Sequence, residues 1–330
     1  MRFRTELKIN KSDLSLGYAD TVVLLGSCFA DNLGDKLENL RFKALSNPLG
    51  TFYNPVTADY LIQAMRFPAP INEDQLVERE GVFAHPQFHS SFNHADPSIV
   101  INRINDALAQ TRQNLQSASF LFLTLGTAWV YETKAHHQVV SNCHKQPQQL
   151  FNKRLLKQNE IVESLTSLYD HLRDIQPACK LVLTLSPVRH TKDGLENNQL
   201  SKALLLTGIY EAMESRPTIT YFPAYEILMD DLRDYRFYAN DLIHPNSMAV
   251  EYLWEKFSER YFDEPTLQVM RQVADINAFL GHRPVVFTSD YQRHLAQIKD
   301  QVTALNPKLG RPYDVGAVFG DVKSADKEED

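Results

Sequence analysis

The sequence has little that would mark it for nucleic acid, for a bilayer or for an oxidising compartment. Its 34 Lys and Arg are outnumbered by 41 Asp and Glu, giving a net charge of −7. No basic stretch is interleaved with aromatics, so no nucleic-acid partner is expected. No apolar run approaches the roughly 20 residues a membrane helix needs, so no membrane partner is expected either. The opening Met1-Arg2-Phe3-Arg4-Thr5-Glu6 is charged and lacks the apolar stretch of a secretory signal. Three cysteines, Cys28, Cys143 and Cys179, are too few and too scattered for a disulfide framework or a zinc site. Reduced thiols and a cytoplasmic location are the expectation. His85, His89 and His94 share one loop with Asp96, but their spacing matches no tight ligand motif, so no metal is expected. There is no phosphate-binding glycine loop and no dinucleotide fingerprint, so no nucleotide cofactor is expected.

What is present is core-forming material. Hydrophobic residues make up 43% of the 330, enough for one large α/β domain or one domain with an appendage. Three strand-length runs, Thr21–Leu25, Ser119–Leu125 and Lys180–Leu185, do not alternate polar with apolar. That pattern predicts strands buried on both faces, as in a parallel sheet covered by helices. Weaker runs lie at Phe42–Leu45 and Thr218–Phe222. Helical periodicity follows Cys28 through Phe29, Leu33 and Leu37, and recurs over Glu160–Asp174 and Asn197–Ser215. Pro245 is expected at the first position of a helix running to Phe257. The alternation predicts a doubly wound sheet whose ligand site lies at the carboxyl ends of its strands. Two long insertions, Pro68–Asp96 and Val130–Lys157, read as lids or binding loops. The expected organisation is one domain over residues 1–262, a helical appendage over 263–319 packing on the sheet or on a second copy, and a disordered acidic tail over 320–330.

Six short segments carry chemistry. Gly26-Ser27-Cys28 follows the first strand and opens a helix. A thiol at such an N-terminus is expected to have a lowered pKa, whereas the structural alternative has Ser27 capping the helix and Cys28 filling the core. Asp241-Leu242-Ile243-His244 places a carboxylate where it can orient an imidazole and leave Nε2 free as a base, or it is a surface turn. Asn47-Pro48-Leu49-Gly50 brings the Gly50 N–H to a turn. Leu125-Gly126-Thr127 ends the next strand, where an oxyanion donor is wanted. Arg189, within Ser186-Pro187-Val188-Arg189-His190, suits an anionic substrate group, or it pairs with Asp193 or Glu196. Asn142-Cys143-His144-Lys145 sets a Cys beside a His, but adjacent side chains on extended chain point apart.

Taken in order, these strings resemble the GSCFA family, named for the string at Gly26–Ala30. The likeness runs through Asn47–Gly50, Tyr53-Asn54-Pro55, Thr124–Thr127, Asn142–Lys145, Ser186–His190 and Arg233–Tyr238 to Asp241–Pro245, covering about residues 3–260. That family is similar to SGNH (GDSL-like) hydrolases. The resemblance implies a flavodoxin-like three-layer α/β/α sandwich with a five-stranded parallel sheet, followed here by C-terminal helices. It also implies an esterase or acyl transferase acting on a small or carbohydrate-linked acyl ester. Mapped by position, Cys28 takes the nucleophile's place, with Ser27 as a shifted alternative. His244 deprotonates it and Asp241 orients His244. The oxyanion donors are the N–H groups of Cys28 and Gly50. The family's third-block Asn is missing, and Thr127 or Asn47 stands in for it. Gly126, Arg189 and His144 shape substrate binding. The other readings are a catalytically silent binding protein on the same scaffold and an interaction protein docking through its C-terminal helices.

Overall fold

The computed structural model describes residues 5–282, 286 and 288–319. In chain order the strands are β1 (Thr21–Gly26), β2 (Lys43–Ser46), β3 (Val77–Arg79), β4 (Val82–Ala84), β5 (Phe120–Leu125), β6 (Trp129–Thr133), β7 (Val139–Val140), β8 (Phe151–Leu155), β9 (Lys180–Leu185) and β10 (Thr220–Phe222). The helices are α1 (Cys28–Asn39), α2 (Pro55–Arg66), α3 (Pro97–Gln116), α4 (Gln158–Ile175), α5 (Leu195–Ser215), the short α6 (Ala224–Glu226), α7 (Ser247–Tyr261), α8 (Glu264–Gly281), α9 (Ser289–Leu305) and α10 (Val315–Phe319).

The central sheet is five-stranded and parallel throughout, in the order β10-β9-β5-β1-β2. Its strands have apolar side chains on both faces because both faces are covered. Val23 and Leu25 of β1, with Leu121, Leu123 and Leu125 of β5, pack into one cluster with Leu61 of α2, Ile104 of α3, Leu165 of α4 and Leu205 of α5. Val22 and Leu24, with Phe120 and Phe122, face the other way onto Phe29 and Leu33 of α1 and Leu253 and Phe257 of α7. The expected α/β architecture is therefore the observed one. Strand order reverses between β1 and β5. Crevices at such reversals are where ligands sit in open α/β sheets.

Four local features differ from the sequence expectation. Helices α2 and α3 lie in stretches where no element was anticipated. Each begins with a capping side chain followed by proline, Asn54-Pro55 and Asp96-Pro97, with Asn54 accepting the Thr57 N–H and Asp96 the Ser98 N–H. Pro245 does not open α7. Asn246 caps that helix by accepting the Ala249 N–H at 3.1 Å, and Pro245 instead bridges to Tyr238. The two insertions are not plain loops. The first carries the antiparallel hairpin β3–β4, and the second builds the three-stranded sheet β7-β6-β8.

The C-terminal helices share the apolar cluster on the α1 side. Val273, Ile276, Ile298, Val302 and Phe319 belong to the same cluster as Leu24 and Phe42. Arg311 clasps the β2 edge, donating its backbone N–H to Arg41 O at 2.8 Å and its guanidinium to Ala44 O at 2.9 Å. The expected tail over 320–330 lies outside the described residues.

Candidate active site

Strand β1 ends at Gly26, whose φ of 118° belongs to glycine. Added there, a Cβ would lie 2.1 Å from Thr124 O. The chain thus turns directly against β5 and starts α1. Ser27 is 0% exposed. Its N–H donates to Thr124 O at 3.1 Å, and its hydroxyl accepts the Phe29 N–H at 3.4 Å as the helix cap. A hydroxyl so enclosed has no access to a substrate.

Cys28 is the first helical residue and is partly exposed. The N–H groups of Cys28 and Phe29 face its sulfur and favour the thiolate. The expected lowering of the thiol pKa is nevertheless overturned. Burial, followed by the nearby Asp31 carboxylate, outweighs those N–H groups and raises it. The first N–H of the helix, that of Cys28, meets no backbone acceptor among the described residues, as helix ends generally leave it.

The other anticipated oxyanion donors are already engaged. Asn47 braces the turn, with Oδ1 accepting the Gly26 N–H at 2.8 Å and Nδ2 donating to Asp31 Oδ1 at 2.8 Å. The Gly50 N–H donates to Asn47 O at 2.8 Å. The Thr127 hydroxyl accepts the Trp129 N–H at 3.0 Å and lies 3.1 Å from the Ser201 hydroxyl on α5. The N–H groups of Gly126 and Thr127 both donate to Tyr53 O, at 2.7 and 3.0 Å. Gly126 permits a close approach: a Cβ there would lie 2.9 Å from the Tyr53 ring and 3.2 Å from His190 Nε2.

Asp241 and His244 form the couple that their spacing suggested. His244 Nδ1 lies 2.6 Å from Asp241 Oδ2. Asp241 Oδ1 accepts the N–H groups of Ile243 and His244 at 2.9 and 3.0 Å. These bonds, led by the His244 N–H, hold the Asp241 carboxyl down at about 2. With Nδ1 spent on the carboxylate, Nε2 is the nitrogen left for proton transfer. Both side chains are about half exposed.

The structure draws in two residues to which the sequence reading gave no role, one of them named only within a motif. Lys202 on α5 is 1% exposed, a rarity for lysine. Its ammonium donates to Ser186 O at 2.7 Å, just past the end of β9, and lies 5.3 Å from the centre of the Tyr225 ring. Burial and the neighbouring Arg189 pull its pKa down to about 7, against the opposing charges of Glu226 and Cys28. His190 is the second. Its ring meets Tyr53 edge-on at 5.1 Å, and its buried Nε2 has no partner among the described residues. Burial, then Lys202 and His244, lowers it to about 4, so it is neutral near pH 7. Lys202 also acts on Cys28, whose thiolate it favours. No periodicity or spacing marked Lys202. It sits one residue after Ser201, whose hydroxyl ties down the Ala128 N–H at 2.7 Å.

Arg189 makes no ion pair among the described residues. It donates to Asn198 Oδ1 at 3.1 Å and Leu195 O at 3.3 Å, while Asp193 pairs with Lys153. His144 is spent within the insertions, with Nε2 2.9 Å from His85 O and Nδ1 3.2 Å from Asn93 Nδ2. It braces the two insertions against each other. Its neighbour Cys143 is pushed up to about 11 by burial. Among the described residues no cluster of three or more His, Cys, Asp or Glu side chains is placed to hold a metal.

No curated protein matches the chain. Among solved structures, an acetyl xylan esterase from the rumen bacterium Butyrivibrio proteoclasticus superposes with a TM-score of 0.33 and 10% identity, over 62% of this chain and 55% of that one. A family model matches residues 21–257, from the first residue of β1 into α7, and includes the Cys28 turn, Lys202 and the Asp241–His244 couple. The chain belongs to the GSCFA family.

Proposed function

We propose that the chain is an SGNH-type ester hydrolase or acyl transferase with Cys28 as nucleophile and the Asp241–His244 couple moving protons. The observation that carries this reading is the 2.6 Å contact between His244 Nδ1 and a carboxylate that also takes two backbone N–H groups. That arrangement fixes one tautomer and leaves Nε2 for proton transfer. Cys28 is preferred over Ser27 because the residue is partly exposed while the Ser27 hydroxyl is a buried cap. In the proposed reaction His244 Nε2 takes the thiol proton as the Cys28 sulfur attacks the acyl carbon, and gives it to the departing alcohol oxygen. A water then attacks the thioester as His244 takes its proton, and the sulfur leaves with that proton returned from His244. Arg189, which makes no ion pair among the described residues, favours substrates with an anionic group, and an acylated carbohydrate is the class to test first.

Hydrolysis of p-nitrophenyl acetate tests the reading. His244→Ala is expected to lower the rate by about 10²–10⁴-fold, and Cys28→Ala to abolish the thioester route. Ser27→Ala should cost about 1 kcal/mol of stability or less through the lost cap while the folded molecules keep their rate. Undiminished turnover in Cys28→Ala rejects the proposal. A silent binding protein is the second reading. It is favoured by the engagement of Gly50, Asn47 and Thr127, since each absent oxyanion donor costs about 2.7–4 kcal/mol. Folded wild type with no turnover on any acyl ester would select it.

A further inference from the structure

We infer that the cavity between the two insertions binds an aliphatic carboxylate, its chain inside and its head group at the mouth. The inference does not depend on the hydrolase reading, since the Cys28 turn and the Asp241–His244 couple contribute no wall to this cavity. It encloses about 470 Å³ and opens on one side, within the range of small-molecule sites. The wall is almost wholly apolar, built by Val77 of β3, Pro86 shortly after β4, Val140 of β7, Phe151 of β8 and Leu150 just before it. Leu150 is 47% exposed. The fold leaves much of that side chain in water, and a hydrocarbon chain laid against it would cover it.

The walls are held in place without a ligand. The N–H groups of Ser141 and Asn142 both donate to Pro86 O at 3.0 Å. Gln87 Nε2 donates to Val139 O at 2.6 Å, and Gln146 Nε2 to Glu78 O at 3.1 Å. His144 Nε2 adds its contact with His85 O at 2.9 Å. Each of these bonds runs from one insertion to the other, so the cavity cannot close without breaking some of them. A chain entering a preformed site has little wall to order. The mouth selects the head group. Lys134 and His136, both exposed, line the cavity from the β6–β7 turn. Acidic residues outnumber basic ones in the chain, yet among the described residues that line this cavity none is Asp or Glu. Glu132, the nearest carboxylate along the strand, is taken by Arg154 and His137. Lys134 is therefore a cation without a carboxylate among the described residues, and an anionic head group supplies one.

Titration calorimetry of the full chain with hexanoate, octanoate and decanoate tests this. The same samples are alkylated with iodoacetamide and read by peptide mass spectrometry at Cys143, which also lines the cavity. Burial pushes that thiol up to about 11, so the rate is followed at pH 9. Each step of two CH₂ groups should tighten binding by roughly tenfold. At ten times its dissociation constant, decanoate should slow alkylation of Cys143 by roughly tenfold and leave that of Cys28 unchanged. Lys134→Glu should weaken decanoate by about fivefold, and Leu150→Asp, which sets a charge in the wall, by more. Decanoate binding indifferent to Lys134→Glu would deny the head-group contact. Alkylation of Cys143 untouched by bound decanoate would put the ligand elsewhere. Either result, or no binding at all, overturns the inference. If a variant does not fold, the wild-type series decides alone, since affinities that do not rise with chain length are incompatible with an enclosed chain. Turnover of p-nitrophenyl acetate, present or absent, bears on neither readout.

Discussion

His85 shows how one buried ring sets the acid response. Its Nδ1 accepts the Gln87 N–H at 3.1 Å, so that nitrogen cannot carry a proton in the fold. Burial, then His144, lowers its pKa to about 4. An unfolded histidine titrates near 6.5. Between these values the unfolded chain binds the proton and the folded chain does not. Stability is therefore complete above pH 6.5 and falls as the pH drops towards 4, by up to roughly 3 kcal/mol for this residue. His190 adds a loss of the same sign. Urea unfolding at pH 4.5, 5.5 and 7 should show the decline, and His85→Asn, which keeps an acceptor but cannot titrate, should flatten it by about one proton. At this scale the sequence was legible where chemistry is local. Asp241 and His244 are three residues apart, and a short turn suffices to join them. Lys202 was not legible, because its surroundings include Ser186 and Tyr225, which come from two other segments of the chain.

Among elements, the strands of the central sheet were readable because full burial leaves them continuously apolar. Helices α2 and α3 were harder to see, since their caps, Asn54 and Asp96, are single residues and their apolar faces are interrupted by polar positions. The start of α7 was displaced because Pro245 and Asn246 are both good opening residues, and the side chain that reaches the Ala249 N–H won. Asn246 does more than cap. Its Nδ2 donates to Arg236 O at 2.6 Å, tying the segment before the Asp241–His244 turn to the helix. Asn246→Ala should cost about 1 kcal/mol from the cap alone. Limited proteolysis should then cut between residues 235 and 245 faster than in wild type. An unchanged melting temperature and cleavage pattern would show that the segment is held by other contacts.

Across the whole molecule, the family match stops at residue 257, but the apolar packing does not. Val273, Ile276, Val302 and Phe319 are covered by the same cluster that contains Phe42 and Leu24. A chain ended after Phe262 should therefore melt at lower temperature than the full chain and bind an apolar dye such as anilinonaphthalene sulfonate. A monomer of unchanged melting temperature would mean that α8–α10 add nothing to the core.

The interior position of β1, between β2 and β5, also constrains how the molecule comes to exist. Its partner on one side, β2, follows within twenty-odd residues, but on the other side Val22 pairs with Phe120. During synthesis the most apolar early strand must wait for almost a hundred further residues before that edge is filled. Closing so long a loop is slow relative to local helix formation. An emerging chain would carry a bare strand edge, open to pairing with a neighbouring copy. Helper proteins that shield nascent segments should therefore matter more for the yield of this protein than for a helical bundle of equal length.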